Sequence, residues 1–260
     1  MLTSTQNPLI KQMRKLQSSK GRREQQLFLL EGTHLLEEAC TSNYPLVVVC
    51  CTPQWQERYP QLWQQATSHS PRVELVSQSV LKSITTTVQP DGVVAVAKRL
   101  PASAELSFSF SLALALERVQ DPGNLGAIIR TAAAAGAENL WLSSDSVDLD
   151  NPKVLRSSVG QWFRQPTVVC SNLLELVGQC RTQGIKVVAT EPTAALSYWE
   201  VDLRCPTLIL LGNEAAGLSA DLVARTDERV TIPLMPGVES LNVAITAALM
   251  LYEAQRQRRI

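Results

Sequence analysis

Two neighbouring segments near the C-terminus constrain the fold of this chain most. The first is LILLGNEAAGL, residues 208–218, and the second is IPLMPGVESLNVAITAAL, residues 232–249. Each passes from a short apolar stretch typical of a buried strand into a loop with glycine and polar residues, and then into a helix-like stretch. Two such loops at one edge of a sheet form a pocket, which is the usual ligand position in open α/β folds. The segments therefore predict an α/β protein with a ligand site in its C-terminal part.

Strand-like and helix-like stretches alternate along the whole chain and predict two α/β domains. Residues 99–110 lose this periodicity and collect proline, serine and alanine, so they are the predicted linker between domains 1–98 and 111–260. The strand-like stretches of the second domain are short, apolar and partly β-branched, which favours a parallel sheet covered on both faces.

Composition excludes several classes of function. Twenty-four basic and 24 acidic residues give a formal net charge of zero, so local charge must decide whether the protein binds a polyanion. Two histidines and six cysteines without a CxxC motif argue against zinc chemistry and a Ser-His-Asp hydrolase, and we expect reduced core cysteines. No apolar run approaches the roughly 20 residues that span a bilayer, and the N-terminus lacks the apolar region of a secretory signal. We expect a cytoplasmic protein with no membrane partner and no metal.

The first 23 residues are basic and contain no acid. Apolar residues recur at helical spacing between Leu9 and Leu16, and SSKGRR after them is predicted to form a turn. The basic side chains form either an ordinary solvated helix face or a phosphate-contacting surface, since bases without neighbouring acids release counterions from a polyanion. They are Lys11, Arg14, Lys15, Lys20, Arg22 and Arg23.

The stretch ERVQDPGNLGAIIRTAAAAGA, residues 117–137, is the first of three clusters that could carry chemistry. A turn at DPG precedes Asn124, which is placed to cap the following helix. Arg130 is the only charged residue between Asp121 and Glu138. A helix otherwise small and apolar is expected to be buried, and a buried arginine needs an anion such as a substrate phosphate. The alternative is an ordinary exposed helix arginine.

The second cluster follows the strand-like LILL. The spacing of Gly212 and Gly217 resembles the start of a phosphate-binding loop, but Leu218 stands where a Walker A motif needs lysine. No GxGxxG is present to bind a dinucleotide. Glu214 repels phosphate and suits a cationic or polar ligand.

The third cluster is a rigid turn before the last helix-like stretch. Pro233, Pro236 and Gly237 restrict the backbone, while Ser240 and Asn242 stand at the predicted helix start. Taken alone, Ser240 could be a simple helix N-cap.

Together, NLGAIIRTA, LLGNEAAGL and IPLMPGVESLNVAITAAL resemble, in order and spacing, the three motifs of the SpoU-type (TrmH-like) branch of the SPOUT RNA 2′-O-ribose methyltransferases. The basic N-terminal segment resembles the substrate-binding domain that many members carry. The resemblance implies an RNA substrate-binding domain at 1–98 and, at 111–260, a methyltransferase domain with a deep trefoil knot, a rare exception to the rule that chains do not thread loops. It also implies a homodimer with the active site at or near the interface, the cofactor S-adenosyl-L-methionine and structured RNA as substrate.

By the same resemblance, individual residues match the functional positions of the family. The implied catalytic residues are Arg130, Asn124, Glu214, Ser240 and Asn242. The implied cofactor-binding residues are Leu210, Leu211, Gly212, Asn213, Gly217, Ile232, Leu241 and Asn242. The six basic residues of the N-terminal segment are the implied RNA contacts.

The resemblance leaves two questions open. Arg130 is either the base or a clamp that grips the adjacent phosphate and stabilises alkoxide charge. The clamp is favoured because a guanidinium rarely gives up its proton. The expected substrate is large-subunit (23S) rRNA, with tRNA as the alternative. A non-catalytic RNA-binding ribosome-assembly factor is a further alternative, whereas the missing GxGxxG and Walker lysine disfavour an oxidoreductase or kinase.

Overall fold

The computed structural model describes residues 1–100 and 108–259, which form two compact units. The first lies within Met1–Pro101 and Asp148–Arg164, and the second within Ala102–Val147 and Gln165–Ile260. The predicted linker spans the first boundary, and its residues 101–107 lie outside the described residues. The sequence predicted one continuous C-terminal domain, whereas residues 148–164 pack with the first unit.

The N-terminal part of the first unit is a four-stranded sheet with helices on both faces. Its elements are α1 (Pro8–Lys15), α2 (Ser19–Gln25), β1 (Leu27–Glu31), α3 (Thr33–Thr41), β2 (Leu46–Cys51), α4 (Pro53–Arg58), α5 (Pro60–His69), β3 (Val73–Leu75), α6 (Gln78–Ile84) and β4 (Val93–Lys98). The strand order is β1-β4-β2-β3, in which only β2 and β3 are parallel. Alternate residues of β4 enter two separate apolar clusters, because successive side chains of a strand point to opposite faces.

The predicted turn SSKGRR is wrong, because most of it lies in helix α2. Ser18 caps this helix: its hydroxyl oxygen accepts a hydrogen bond from the backbone N–H of Gly21. A Cβ at Gly21 would lie 2.0 Å from the carbonyl oxygen of Lys15, so only glycine permits the close approach of α2 to α1. This packing carries Arg22 into the interior.

The remaining elements, in chain order, are β5 (Leu112–Leu116), α7 (Pro122–Ala135), β6 (Asn139–Ser143), α8 (Pro152–Ser157), a 3-10 turn (Gln161–Phe163), β7 (Thr167–Cys170), α9 (Leu173–Thr182), β8 (Lys186–Thr190), β9 (Leu196–Ser197), β10 (Thr207–Leu211), α10 (Ala220–Val223), β11 (Glu228–Thr231) and α11 (Val243–Arg258). Apart from α8 and the 3-10 turn, they belong to the second unit.

The second unit contains a seven-stranded sheet in the order β7-β6-β5-β10-β8-β11-β9. Every neighbouring pair is parallel, as the sequence predicted. Strands β5, β6 and β10 are buried along their whole length, which explains their uninterrupted apolar sequences. The α/β class is thereby confirmed, and the trefoil knot stays a prediction.

Residues 148–164 complete the first unit although they follow β6 of the second. Trp162 packs against Phe28 and Tyr44, with ring centroids 5.3 and 5.6 Å apart, and Leu155 belongs to the same apolar cluster. A Cβ at Gly160 would lie 2.5 Å from the Cγ of Glu38, so this glycine permits the contact. The first unit is therefore discontinuous in sequence.

Within the described parts of the chain, no helix is long and apolar enough to cross a membrane. The same residues contain no group of three or more histidine, cysteine or acidic side chains that could hold a metal ion. All six cysteines are free thiols, and four of them are buried, as expected for core residues.

Candidate active site

A cleft of about 290 Å³ lies at the C-terminal ends of β8, β10 and β11. This is where the two loops of the sequence predicted a ligand site. Six of the implied cofactor-binding residues line it: Leu211, Gly212, Asn213, Gly217, Ile232 and Leu241. Of the other two, Leu210 is buried in β10 and Asn242 is the N-cap of helix α11, and neither lines the cleft.

The loop after β10 is a tight, self-bonded turn. Asn213 and Gly217 exchange two backbone hydrogen bonds of 3.0 Å, and the side-chain oxygen of Asn213 accepts from the backbone N–H groups of Ala215 and Ala216. A Cβ at Gly212 would lie 2.2 Å from backbone atoms of Gly217 and Leu218, and Gly217 itself has φ +67°. Both glycines are therefore required by the backbone path, and the cleft wall is preformed.

The cleft is acidic. Glu191, Glu214 and Glu239 line it, and no lysine, arginine or histidine is among its described lining residues. Glu191 also lies 3.7 Å from Arg229, which is outside the lining. The apolar part of the lining includes Leu211, Val230, Ile232, Leu234, Leu241 and Val243. Such a cleft suits a ligand with an apolar ring system and a positive charge, and it repels phosphate.

A hydrogen-bond network joins the three motifs beside the cleft. The carboxylate of Glu214 accepts from the backbone N–H groups of Gln120 (3.2 Å) and Asp121 (3.1 Å) and from the amide nitrogen of Asn124 (3.1 Å). The amide nitrogen of Asn242 donates to the amide oxygen of Asn124 at 2.9 Å. Burial raises the pKa of Glu214, but these donors outweigh it, so the net pKa is lowered. The network fixes Asn124 between an acceptor and a donor.

One helix start at the site differs from the sequence prediction, and at the other the alternative of a simple Ser240 cap is wrong. Asp121, rather than Asn124, caps α7, because its side chain accepts from the N–H of Asn124. Asn242, rather than Ser240, caps α11 and accepts from the N–H of Ala244. The amide of Asn124 is therefore free for the network, and Ser240 remains in the cleft lining.

Arg130 is exposed, so its predicted burial is wrong. Helix α7 buries one face, but alanine at its exposed positions costs little, and a small apolar helix therefore need not be buried on all sides. No described residue forms an ion pair or hydrogen bond with the Arg130 side chain. Arg130 does not line the cleft, and its helix begins at the Glu214 network.

The basic N-terminal segment divides into exposed and buried members. Lys11, Arg14, Lys15, Lys20 and Arg23 are exposed. The Arg22 side chain is 2% exposed, and it pairs with Asp148 at 2.7 Å and Asp150 at 3.1 Å. The predicted RNA contact of Arg22 is therefore wrong, because its guanidinium is buried and already paired with two carboxylates.

Sequence reasoning missed two of the cleft carboxylates. Glu191 directly follows β8, at the strand end where a parallel sheet places its ligand site, so its position carried a usable signal. Glu239 lies in the third cluster but was not singled out. The backbone N–H groups that bind Glu214 carry no signal in the sequence.

The sequence of this chain is similar to those of known RNA methyltransferases along nearly its whole length. Residues 111–252 match the SpoU rRNA methylase family, and residues 7–95 match the MRM3-like substrate binding domain. An uncharacterized tRNA/rRNA methyltransferase of Synechocystis is 47% identical over 257 residues, which are 99% of this chain and 94% of the relative. The 23S rRNA (guanosine(2553)-2′-O)-methyltransferase RlmP of Bacillus subtilis is 34% identical over 251 residues, with 96% and 97% covered.

Among solved structures, an AdoMet-bound rRNA methyltransferase from Sinorhizobium meliloti is similar along nearly the whole chain. The TM-score is 0.87 at 31% sequence identity, and the match covers 98% of this chain and 97% of the other. The parallel sheet and the cleft at its C-terminal edge define the class of α/β enzymes that bind a small molecule there. Within that class, the chain belongs to the SpoU rRNA methylase family, so the resemblance of its three motifs is confirmed.

Proposed function

We propose that this protein is an S-adenosyl-L-methionine-dependent RNA methyltransferase that methylates a ribose 2′-hydroxyl of 23S rRNA. The acidic cleft beside the Glu214 network carries this proposal, because carboxylates suit a sulfonium cation and repel the phosphates of NAD or ATP. Ribosomal RNA is favoured over tRNA because RlmP, a 23S rRNA enzyme by name, aligns over 96% of this chain.

The residues that line the cleft fit this cofactor. Apolar side chains such as Ile232 and Leu241 would hold its adenosine, together with the backbone at the end of β10, residues 210–212. The carboxylates of Glu191, Glu214 and Glu239 would stabilise its positively charged sulfonium group by electrostatic attraction. When bound, the cofactor supplies an electrophilic methyl group.

Arg130 would act on the RNA side of the reaction. Its exposed guanidinium has open hydrogen-bond donors, which can grip a phosphate in bidentate fashion and stabilise charge that develops on the 2′-oxygen. Asn124 and Asn242 would position polar groups of the substrate or cofactor through the network they share with Glu214. Ser240, in the cleft lining, would contribute a hydroxyl to the same site.

The exposed basic residues of α1 and α2 would bind the RNA backbone within the substrate-binding domain. Lys11, Arg14 and Lys15 lie on the exposed side of α1, while Ile10 and Met13 of the same helix are buried. Lys20 and Arg23 extend this surface along α2, although each already has an acidic neighbour. These charges would bind RNA through counterion release.

A second copy of the chain would pack on the exposed apolar face of α11. Ile245 and Tyr252, two helical turns apart, are about half exposed, and Met235 and Val238 are exposed in the preceding loop. Sedimentation should show a dimer that Tyr252→Glu dissociates, whereas Gln64→Glu on α5 leaves it intact. A ribosomal substrate would place the protein in the cytoplasm.

Two measurements test the proposed function. S-adenosylhomocysteine should raise the melting temperature, whereas NAD and ATP should not; stabilisation by NAD or ATP alone contradicts the proposal. Incubation with labelled cofactor and unmodified rRNA and tRNA, followed by mapping of the label, should find one ribose in 23S rRNA. Label in tRNA alone would overturn the choice of substrate, and no label in either RNA would favour a non-catalytic factor.

A further inference from the structure

Arg118, in the loop between β5 and α7, has a backbone conformation that L-amino acids rarely adopt. Its φ is 54°, in the left-handed region that favours glycine and asparagine. Three hydrogen bonds hold it there. Its N–H donates to the hydroxyl of Ser143 (2.8 Å), and its carbonyl oxygen accepts from the side-chain amides of Asn213 (2.7 Å) and Gln120 (3.3 Å). The surrounding loops thus impose the conformation on an unfavourable residue type.

The side chain of Arg118 makes few contacts that would stabilise the fold and offset this backbone strain. Its Nε is buried without a hydrogen-bond partner, and its guanidinium donates no hydrogen bond to any residue in the described ranges. A carboxylate oxygen of Glu117 is 3.6 Å from Nη2 and already accepts from the N–H of Ser219 at 2.7 Å. Over a third of the side chain is exposed. The planar donor fork is therefore open to a ligand.

The position of Arg118 points to the substrate. It follows β5 by two residues, so it lies at the same edge of the parallel sheet as the cleft. Asn213, whose amide binds the Arg118 carbonyl, lines the cleft, and Gln120 links Arg118 to Glu214. The helix that starts after this loop carries Arg130. Neither Arg118 nor Arg130 lines the cleft, so both guanidiniums lie outside the proposed cofactor-binding surface.

We infer that Arg118 binds a phosphate group of the RNA beside the target ribose. This inference rests on the proposed function and adds an RNA contact that no sequence motif indicated. Strained backbone conformations cluster at functional sites. The strained backbone of Arg118 and its unsatisfied Nε–H therefore indicate a functional side chain. A phosphate oxygen satisfies the guanidinium by charge-assisted hydrogen bonds, which are stronger than neutral ones.

The test removes the guanidinium without disturbing the loop. In Arg118→Asn the new residue tolerates the left-handed conformation, so the melting temperature should stay the same or rise. The KM for an unmethylated 23S rRNA transcript should increase about tenfold, as expected for one charge-assisted contact. The dependence of log affinity on log salt concentration should become shallower by about 0.7 to 0.9. The Kd for S-adenosylhomocysteine should not change.

Arg204→Asn is the matched control. Arg204 is 70% exposed, pairs with Asp202 at 2.9 Å, and precedes β10, at the opposite edge of the same sheet. The substitution Arg204→Asn removes the same charge as Arg118→Asn. It should leave the KM for the transcript and the salt dependence of RNA binding as in the wild type.

Arg118 is not an RNA contact if Arg118→Asn keeps the wild-type KM and salt dependence. Equal losses of RNA and S-adenosylhomocysteine affinity also overturn the inference, because they assign Arg118 to loop structure. If the wild type does not methylate the transcript, the proposed function fails, while the salt dependence of binding, measured by fluorescence anisotropy, still decides on Arg118.

Discussion

Arg22 in the first unit and Arg130 in the second reverse what their sequence contexts predict. Arg22 lies in a run of basic residues without acids, yet it is buried between Asp148 and Asp150. Arg130 lies in a small apolar helix, yet it is exposed and has no ionic partner in the described structure. The difference shows that the role of a charged side chain depends on partners that are distant in sequence. One arginine stabilises the fold, whereas the other is available to a substrate.

The sharpest test of this contrast is Arg130→Ala. We expect kcat for RNA methylation to fall by about 10²–10³, the usual cost of removing one group that stabilises developing charge. Cofactor affinity and the free energy of unfolding should stay near wild type, because the exposed side chain supports no described contact. Arg130→Lys separates the mechanisms, since lysine keeps the charge but loses the bidentate fork. Near-normal turnover of Arg130→Lys would contradict the clamp.

Arg22→Ala should show the opposite pattern. Asp148 and Asp150 would lose a buried partner, and we expect the free energy of unfolding to fall by about 3 kcal/mol. Urea denaturation measures this loss. Arg23→Ala is the control, because Arg23 pairs with the same Asp148 but is 62% exposed, and its loss should cost less than about 1 kcal/mol. Equal losses for the two variants would remove the distinction between them.

Glu214→Gln tests whether the network beside the cleft needs a carboxylate. The amide would present N–H groups to the donors of Gln120, Asp121 or Asn124, so we expect about 1 kcal/mol less stability, allowing for solvent screening of this exposed group. The lowered pKa of Glu214 adds a pH dependence. Its stabilisation is present above the pKa of an unfolded glutamate and is lost as pH falls through the lowered pKa. Wild-type and variant unfolding curves should therefore converge in acid; a constant difference would contradict this assignment.

We expect the smallest effect, on RNA binding, from substitutions on the exposed surface of α1. Neutralising Lys11 and Lys15 together, as Lys11→Gln and Lys15→Gln, should weaken RNA binding about threefold and reduce its salt dependence. Arg72→Gln in the same unit is the control, because Arg72 is already paired with Glu74 at 2.8 Å. If the control weakens binding equally, the α1 surface has no special role.

The sequence predicted the alternation of strands and helices and the three motifs because they depend on local pattern. The apolar runs of β5, β6 and β10 and the turn residues of each motif are adjacent in the chain, and so their periodicity and spacing were sufficient. The predicted cap of α7 was wrong for a local reason: Asp121 competes with Asn124 for the same role, and both residue types cap helices well.

Other errors came from contacts between distant segments. Whether SSKGRR turns or continues as a helix depends on the packing of Gly21 against Lys15 and on partners for Arg22 more than 120 residues away. Helix α8 has six residues, too few for a periodic signal, and nothing in its sequence shows that it packs with the first unit. Burial of such segments is decided by tertiary structure.

The discontinuous first unit has a consequence for synthesis of the protein. A nascent chain of about 100 residues contains all four strands of the N-terminal sheet but neither aspartate partner of Arg22, nor Trp162. At roughly 5–20 residues per second, the ribosome delivers residues 148–164 several seconds later, after β5, α7 and β6 have been made. The first unit therefore cannot complete its packing until part of the second unit has been translated. Until then Arg22 lacks its carboxylate partners, and Phe28 and Tyr44 lack their contact with Trp162.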